Sequence, residues 1–204
     1  MKLFYNFSLN ELSNSYLIGP DEGKDAILID PSLINLDLIE KIETNKFNIA
    51  HVLITHRHVG HIKALKTLLK IYNPTVWAGE PELYDIKINK IEDKKGYQLG
   101  SLKVEAFHIP GHSIDSFVYK IENVLFTGDV LLAGRVGSTE EIMEKALLLK
   151  GIKQRLLTMD EKLLIFPGHG TISSLKIEKL FNPELIASMA IQDLDQLSHP
   201  SIIT

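Results

Sequence analysis

Short runs of aromatic and branched residues at positions 2–7, 14–19 and 26–30, separated by polar turns such as Gly19-Pro20-Asp21-Glu22-Gly23, predict three consecutive antiparallel strands. The third ends in Asp30-Pro31. Asn35 suits the N-cap of a helix whose apolar positions Leu38, Ile39 and Ile42 share one face, and Phe47 leads on to the buried strand His51-Val52-Leu53-Ile54. Beyond it, Ile62, Leu65, Leu68, Leu69 and Tyr72 recur at helical spacing until Asn73-Pro74 stops them. This predicts one helix with His61 in its first turn.

After the strand-like Thr75-Val76-Trp77-Ala78, the charged residues 79–96 carry no clear period and predict a surface excursion without chemistry. Leu102 to Ile109, Ser116 to Ile121 and Val124 to Thr127 read as strands, the last two joined at Glu122-Asn123 as a hairpin. Ser138-Thr139-Glu140-Glu141 has the form of a capping box. It would open a helix to about residue 157, with Ile142, Ala146, Leu149, Ile152 and Leu156 facing inward. Leu163 to Phe166 is a buried strand. Ser174 to Phe181 and Pro183 to Leu197 are helices, with Leu185, Ile186, Met189 and Leu194 inward and the tail, including Ile202 and Ile203, packed on its own domain. Two β-rich segments, each finished by helices, predict an α/β fold with two sheets face to face and helices outside. That is a four-layer αββα sandwich formed as a single domain over residues 1–204.

Composition narrows the chemistry more than the fold. A chain of 204 residues with 45% hydrophobic content can bury a core. A net charge of −4 without a basic stripe argues against nucleic acid as a partner. There is no cysteine, which removes disulfides, thiolate metal sites, iron–sulfur clusters and a cysteine nucleophile. Histidine and carboxylate must therefore carry any metal. The N-terminus has no signal-peptide pattern and no stretch approaches the roughly 20 apolar residues of a membrane span. A soluble, cytoplasmic protein without a membrane partner is expected.

The candidate chemistry centres on Thr55-His56-Arg57-His58-Val59-Gly60-His61, which places three histidines directly after a buried strand. Pro110-Gly111-His112-Ser113, Thr127-Gly128-Asp129 and Pro167-Gly168-His169-Gly170 also follow apolar runs. Loops at strand ends can aim imidazoles at one point, and imidazole suits Zn and Fe. His51, His108 and His199 fit the plainer reading of solvated or core imidazoles.

These motifs, with Asn14-Ser15-Tyr16-Leu17-Ile18, Leu28-Ile29-Asp30-Pro31 and the downstream Glu178-Lys179 and Asn182-Pro183, resemble the metallo-β-lactamase superfamily, close to its glyoxalase II-like branch. The resemblance runs over nearly the whole chain and implies two metals in a cleft at the sheet edges. By position, His56, His58 and His112 would hold the first metal, His61 and His169 the second, and Asp129 would bridge them. The family pattern is H-x-H-x-D-H, and Gly60 stands where that Asp belongs. Two divalent ions carry +4; the usual two carboxylates leave about +2, whereas Asp129 alone leaves about +3. A more positive, open pair favours an added anionic ligand such as hydroxide, phosphate or peroxide. Asp30 reads as a structural strand-end residue.

Two functions follow from the resemblance. The first is hydrolysis of a thioester or phosphodiester, in which paired metals bring a bridging water toward a pKa of about 7 as hydroxide. Against a glutathione thioester, glyoxalase II proteins carry a longer C-terminal helical part, while this chain ends about 35 residues after His169. The segment Ala133-Gly134-Arg135-Val136-Gly137-Ser138 also departs from that branch, whose pattern has its Arg at about the position of Ser138. The second, favoured here, rests on similarity to the oxygen-binding di-iron proteins that some anaerobic bacteria attach to chemotaxis signalling. It implies two Fe ions, with Zn or Mn as alternatives, molecular oxygen entering beside Gly60 and held as peroxide, and chemotaxis proteins as partners. Flavodiiron oxygen reductases differ, since many carry Glu where this chain has His58 and are fused to a flavin domain.

Overall fold

The computed structural model describes residues 1–198, with side chains to residue 190. The side chain of Leu194 and the whole of His199, Ile202 and Ile203 lie outside the described residues.

The first sheet takes β1 (Lys2–Ser8), β2 (Ser13–Gly19), β3 (Asp25–Ile29), β4 (Asn48–Leu53) and β5 (Thr75–Ala78) in spatial order, with α1 (Leu36–Asn45), α2 (Val59–Ile62) and α3 (Leu65–Tyr72) between them. A small hairpin of β6 (Glu82–Leu83) and β7 (Ile86–Lys87) precedes β8 (Asn89–Lys90), the sheet's sixth strand. The second sheet holds β9 (Gly96–Leu99), β10 (Leu102–His108), β11 (Phe117–Ile121) and β12 (Val124–Gly128). The ribbon β13 (Leu131–Leu132) and β14 (Arg135–Val136) and helix α4 (Ile142–Arg155) then lead to β15 (Leu164–Pro167) and β16 (Ser173–Ser174), followed by α5 (Leu175–Phe181) and α6 (Pro183–Ser198). The order across this sheet is β16-β15-β12-β11-β10-β9.

Alternation along the strands builds the layers. Tyr16, Ile18, Ile27, Ile29 and Leu53 of the first sheet meet Val104, Ala106, Tyr119, Phe126 and Phe166 of the second in one core. Their neighbours Leu17, Ala26, Leu28 and Val52 face the other way, onto Leu38, Ile42, Leu65 and Leu68 of α1 and α3. On the far side Val118, Leu125 and Ile165 meet Leu148, Ile152, Leu175 and Leu185. Both faces of each sheet are thus covered, which is why these strands read as continuous apolar runs. Each fully buried Leu or Ile contributes on the order of 1.5–3 kcal/mol. The expected αββα sandwich is the observed fold. No helix among the described residues is long and apolar enough to cross a membrane.

The predicted α1 forms as expected, with Asn35 Oδ1 accepting from Leu38 N–H at 2.9 Å. Three local expectations are corrected. The helix expected across 61–72 is two: Ala64 N–H bonds Pro31 O at 2.9 Å, which bends the chain between α2 and α3. The capping box of α4 is made by Glu141 and Glu144, three positions beyond the expected Ser138, whose carbonyl is engaged elsewhere. Finally, Ile142, Ala146 and Ile186 are exposed, and Leu148 takes the inward position on α4.

Candidate metal centre

The loops that follow β4, β10, β12 and β15 open at the same edge of the sandwich, and backbone bonds stitch them together. Phe117 N–H bonds Thr55 O at 2.8 Å, Gly168 N–H bonds Gly128 O at 2.8 Å and Asn14 N–H bonds Gly168 O at 2.8 Å. Asn14 Nδ2 and Tyr16 OH, from β2, both donate to Pro167 O. The strand that carries neither histidine nor acid at this edge therefore fixes the loop that carries His169.

Two ligand groups result. His56, His58 and His112 bring one nitrogen each to a common point, and His56, His61 and Asp129 form the second group. His58 Nδ1 lies 3.0 Å from His56 Nε2 and 3.0 Å from His112 Nε2. Nitrogens held about 2.1 Å from one ion at right angles stand about 3.0 Å apart, so this spacing fits a metal. Asp129 lies between the groups. Its Oδ2 is 3.5 Å from His112 Nε2 and 4.0 Å from His56 Nε2, while its Oδ1 is 3.7 Å from His61 Nε2 and 2.8 Å from His169 Nδ1. His169 adjoins the second group through Asp129, with its ring centroid 5.0 Å from that of His61.

The other ring nitrogens say which lone pairs are free. His112 Nδ1 donates to Ser138 O at 2.8 Å, and a carbonyl can only accept, so Nε2 is bare in the neutral ring. Asp30 accepts from His61 Nδ1 at 2.9 Å and from Thr55 Oγ1 at 2.6 Å; Thr55 Oγ1 then accepts from His56 Nδ1 at 3.1 Å. In the neutral rings both Nε2 atoms are left as acceptors. A ligating histidine is normally oriented by just such a partner on its second nitrogen. His61 Nε2 is buried and has no hydrogen-bond partner, a costly state for a polar atom that a metal would relieve. The residues fit a metal pair.

Electrostatics match this picture. Burial, then the neighbouring imidazoles, hold His56 and His58 below the usual histidine range, keeping them neutral as ligands must be. Burial would also lower His61, but Asp30 and Asp129 overcome it and push the ring up to about 10, so the metal-free ring carries a second proton, on Nε2, which a metal ion would displace. Burial opposes ionisation of Asp129; the bonds and charges of His169 and His61 outweigh it and hold the carboxyl well below its ordinary range.

An open cleft of about 440 Å³ lies against His58 and His112, walled by Arg57, Ser138, Glu140 and Glu144. His51 and His108 stay outside the cluster, bonded to Trp77 and to Ile114 O, as expected. Asp30 is the residue that sequence reasoning undervalued. It is no mere strand end, since its carboxylate orients the rings of His61 and, through Thr55, His56. A lone acid closing an otherwise apolar run was the available signal.

Two glycines at the site differ in kind. A Cβ on Gly168 would stand 2.4 Å from His61 Cε1 and 2.6 Å from Asp129 Oδ1, so only glycine lets this loop close over the ligands. A Cβ on Gly60 would meet nothing closer than 3.8 Å, and its backbone lies outside the left-handed region. Nothing in the packing demands glycine at position 60.

A family model described as the metallo-beta-lactamase superfamily matches residues 10–169. The chain is 29% identical over 196 residues to hydroxyacylglutathione hydrolase GloC of Haemophilus influenzae, spanning 84% of this chain and 92% of that protein. In structure it is similar to ETHE1 from Myxococcus xanthus, with a TM-score of 0.84 and 27% identity over 98% of this chain and 93% of that one. TTHA1623, solved in a di-iron-bound form, shares the fold with a TM-score of 0.75 and 23% identity over 88% of this chain and 98% of that one. The fold, the strand-end ligands and the matched residues agree, and the chain belongs to the metallo-β-lactamase superfamily.

Proposed function

We propose that this chain is a dinuclear-metal protein, loaded with iron, that binds oxygen and reports it to a signalling partner of the chemotaxis type. The observation that carries the reading is Gly60. Glycine at this position is required neither by backbone nor by packing, so its effect is the loss of a carboxylate beside the second ligand group. A hydrolase has to do without that ligand, whereas an oxygen-binding site gains an open side and net positive charge from its absence.

His56, His58 and His112 would hold one ion and His61, Asp129 and His169 the other. A ferrous pair, if held there, would supply the electrons that oxygen binding requires. The fold itself accommodates iron, as TTHA1623 illustrates. Asp30 and Ser138 keep the rings in the required tautomer, and burial of His56 and His61 keeps water from competing at the inner side. The signalling role is supported by the sequence resemblance to chemotaxis-linked oxygen-binding proteins.

Metal-dependent hydrolysis of a thioester or phosphodiester is the second reading. The open cleft at His58 and His112 favours it, since it gives a substrate access to the first ligand group. The kinship with GloC points the same way. The test is to load the protein with Fe(II) or Zn(II), measure metal content, and compare oxygen uptake with hydrolysis of thioester and phosphodiester substrates. Uptake of about one oxygen per metal pair with negligible hydrolysis is expected. Robust hydrolysis without oxygen uptake overturns the oxygen reading in favour of the second.

A further inference from the structure

Gly60 leaves the second ligand group short of a carboxylate, and another carboxylate stands beside the gap. A Cβ built on Gly60 would lie 3.8 Å from Glu11 Cβ and 3.9 Å from Glu11 Oε2, its two contacts within 4 Å outside its chain neighbours and its own helix backbone. Glu11 therefore faces the space that an acidic side chain at position 60 would enter.

The turn that carries Glu11, between β1 and β2, is tied to two metal loops through Ser13. Ser13 Oγ donates to Gly60 O at 2.8 Å, and Ser13 pairs with His169 in an isolated bridge. Leu12, in the left-handed region at φ 53°, turns the chain sharply between Glu11 and Ser13. Glu11 Oε1 is held by Lys63; the Lys63 side chain is 55% exposed and that of Glu11 20%. The ammonium end of the pair is open to solvent, so a metal ion can compete with it for the carboxylate.

We propose that Glu11 is a mobile carboxylate ligand for the second metal, turning from Lys63 toward the position that Gly60 leaves open. The inference rests on the two-metal reading of the site. Paired with Lys63, Glu11 leaves the open position to an incoming ligand; turned inward, it closes that position and restores the missing negative charge. Occupancy of the second site then depends on a surface turn distant in sequence from the histidine loop. An acid at position 60 beside Glu11 would set two carboxylates in contact, each raising the cost of ionising the other unless a metal ion lies between them.

The test is titration of the metal-free full chain with Co(II), read by calorimetry and visible absorption, for the wild type, Glu11→Gln and the double variant Glu11→Gln/Gly60→Asp. The wild type should bind two ions. Glu11→Gln should weaken the second by at least about 10-fold, leave the first unchanged and alter the Co(II) spectrum, and the added Gly60→Asp should restore the second affinity. Unchanged affinity and spectrum in Glu11→Gln overturn the proposal for Glu11 while leaving the two-metal reading intact. A wild type that binds only one ion overturns both.

Discussion

Asp30 and His61 are joined by a buried bond of 2.9 Å between Oδ2 and Nδ1, and the same oxygen accepts from Thr55 Oγ1 at 2.6 Å. One carboxylate at the end of β3 thus sets the tautomers of two imidazoles on the loop after β4. Asp30→Asn should leave the sandwich folded and lower second-metal affinity by about 10–100-fold, because His61 loses its orienting acceptor. Metal content after dialysis, measured by plasma mass spectrometry, checks this; full retention of two ions would show that Asp30 is structural only.

The same pair makes the metal-free protein sensitive to pH. The folded state raises His61 from 6.5 to about 10, so its contribution to stability is fully present below pH 6.5 and is lost as pH rises through about 10. His56 shifts the other way, but its contribution is complete once pH exceeds its unfolded value of 6.5. Melting temperatures of the chelator-treated protein should therefore fall steadily between pH 7 and 9. In Asp30→Asn that slope should flatten.

Gly168 and Gly60 offer a matched contrast. Gly168→Ala places a methyl against His61 Cε1 and Asp129 Oδ1, and overpacking of this kind typically costs about 1–3 kcal/mol. Denaturant unfolding should register that loss, and second-metal binding should fall with it. An alanine at Gly60 meets only ordinary contacts and should change stability by less than about 1 kcal/mol.

Gly60→Asp tests the function of the gap itself. A carboxylate there should tighten the second ion and shorten the lifetime of bound oxygen, by filling the open position and lowering the net charge of the pair. Stopped-flow decay of the oxygenated iron protein is the readout, and an unchanged lifetime would remove Gly60 from the functional reasoning.

Much of this was legible in the chain. The aromatic and branched runs of β1 to β3, the cap at Asn35 and the strand-end histidines point to the αββα sandwich and to a cluster drawn from four loops. Asp30 was not legible as an orienting group. Only the parallel pairing of β3 with β4, which sets Ile29 beside Leu53, brings its carboxylate to Thr55 and His61, and a buried acid at a strand end reads the same in sequence whatever it faces. Glu11 escaped notice for a similar reason, since nothing in local patterning relates a polar turn to a glycine 49 positions on. The break between α2 and α3 is likewise a tertiary effect, imposed by Pro31 O on an otherwise continuous helical period.

Oxygen binding at the open position beside Gly60 is the event to follow directly. The protein should be purified without oxygen, loaded with two Fe(II) per chain, exposed to a measured amount of oxygen and followed by visible absorption. A new band that forms at about one oxygen per iron pair and persists for minutes or longer is the expected result; no spectral change on full iron loading would contradict it.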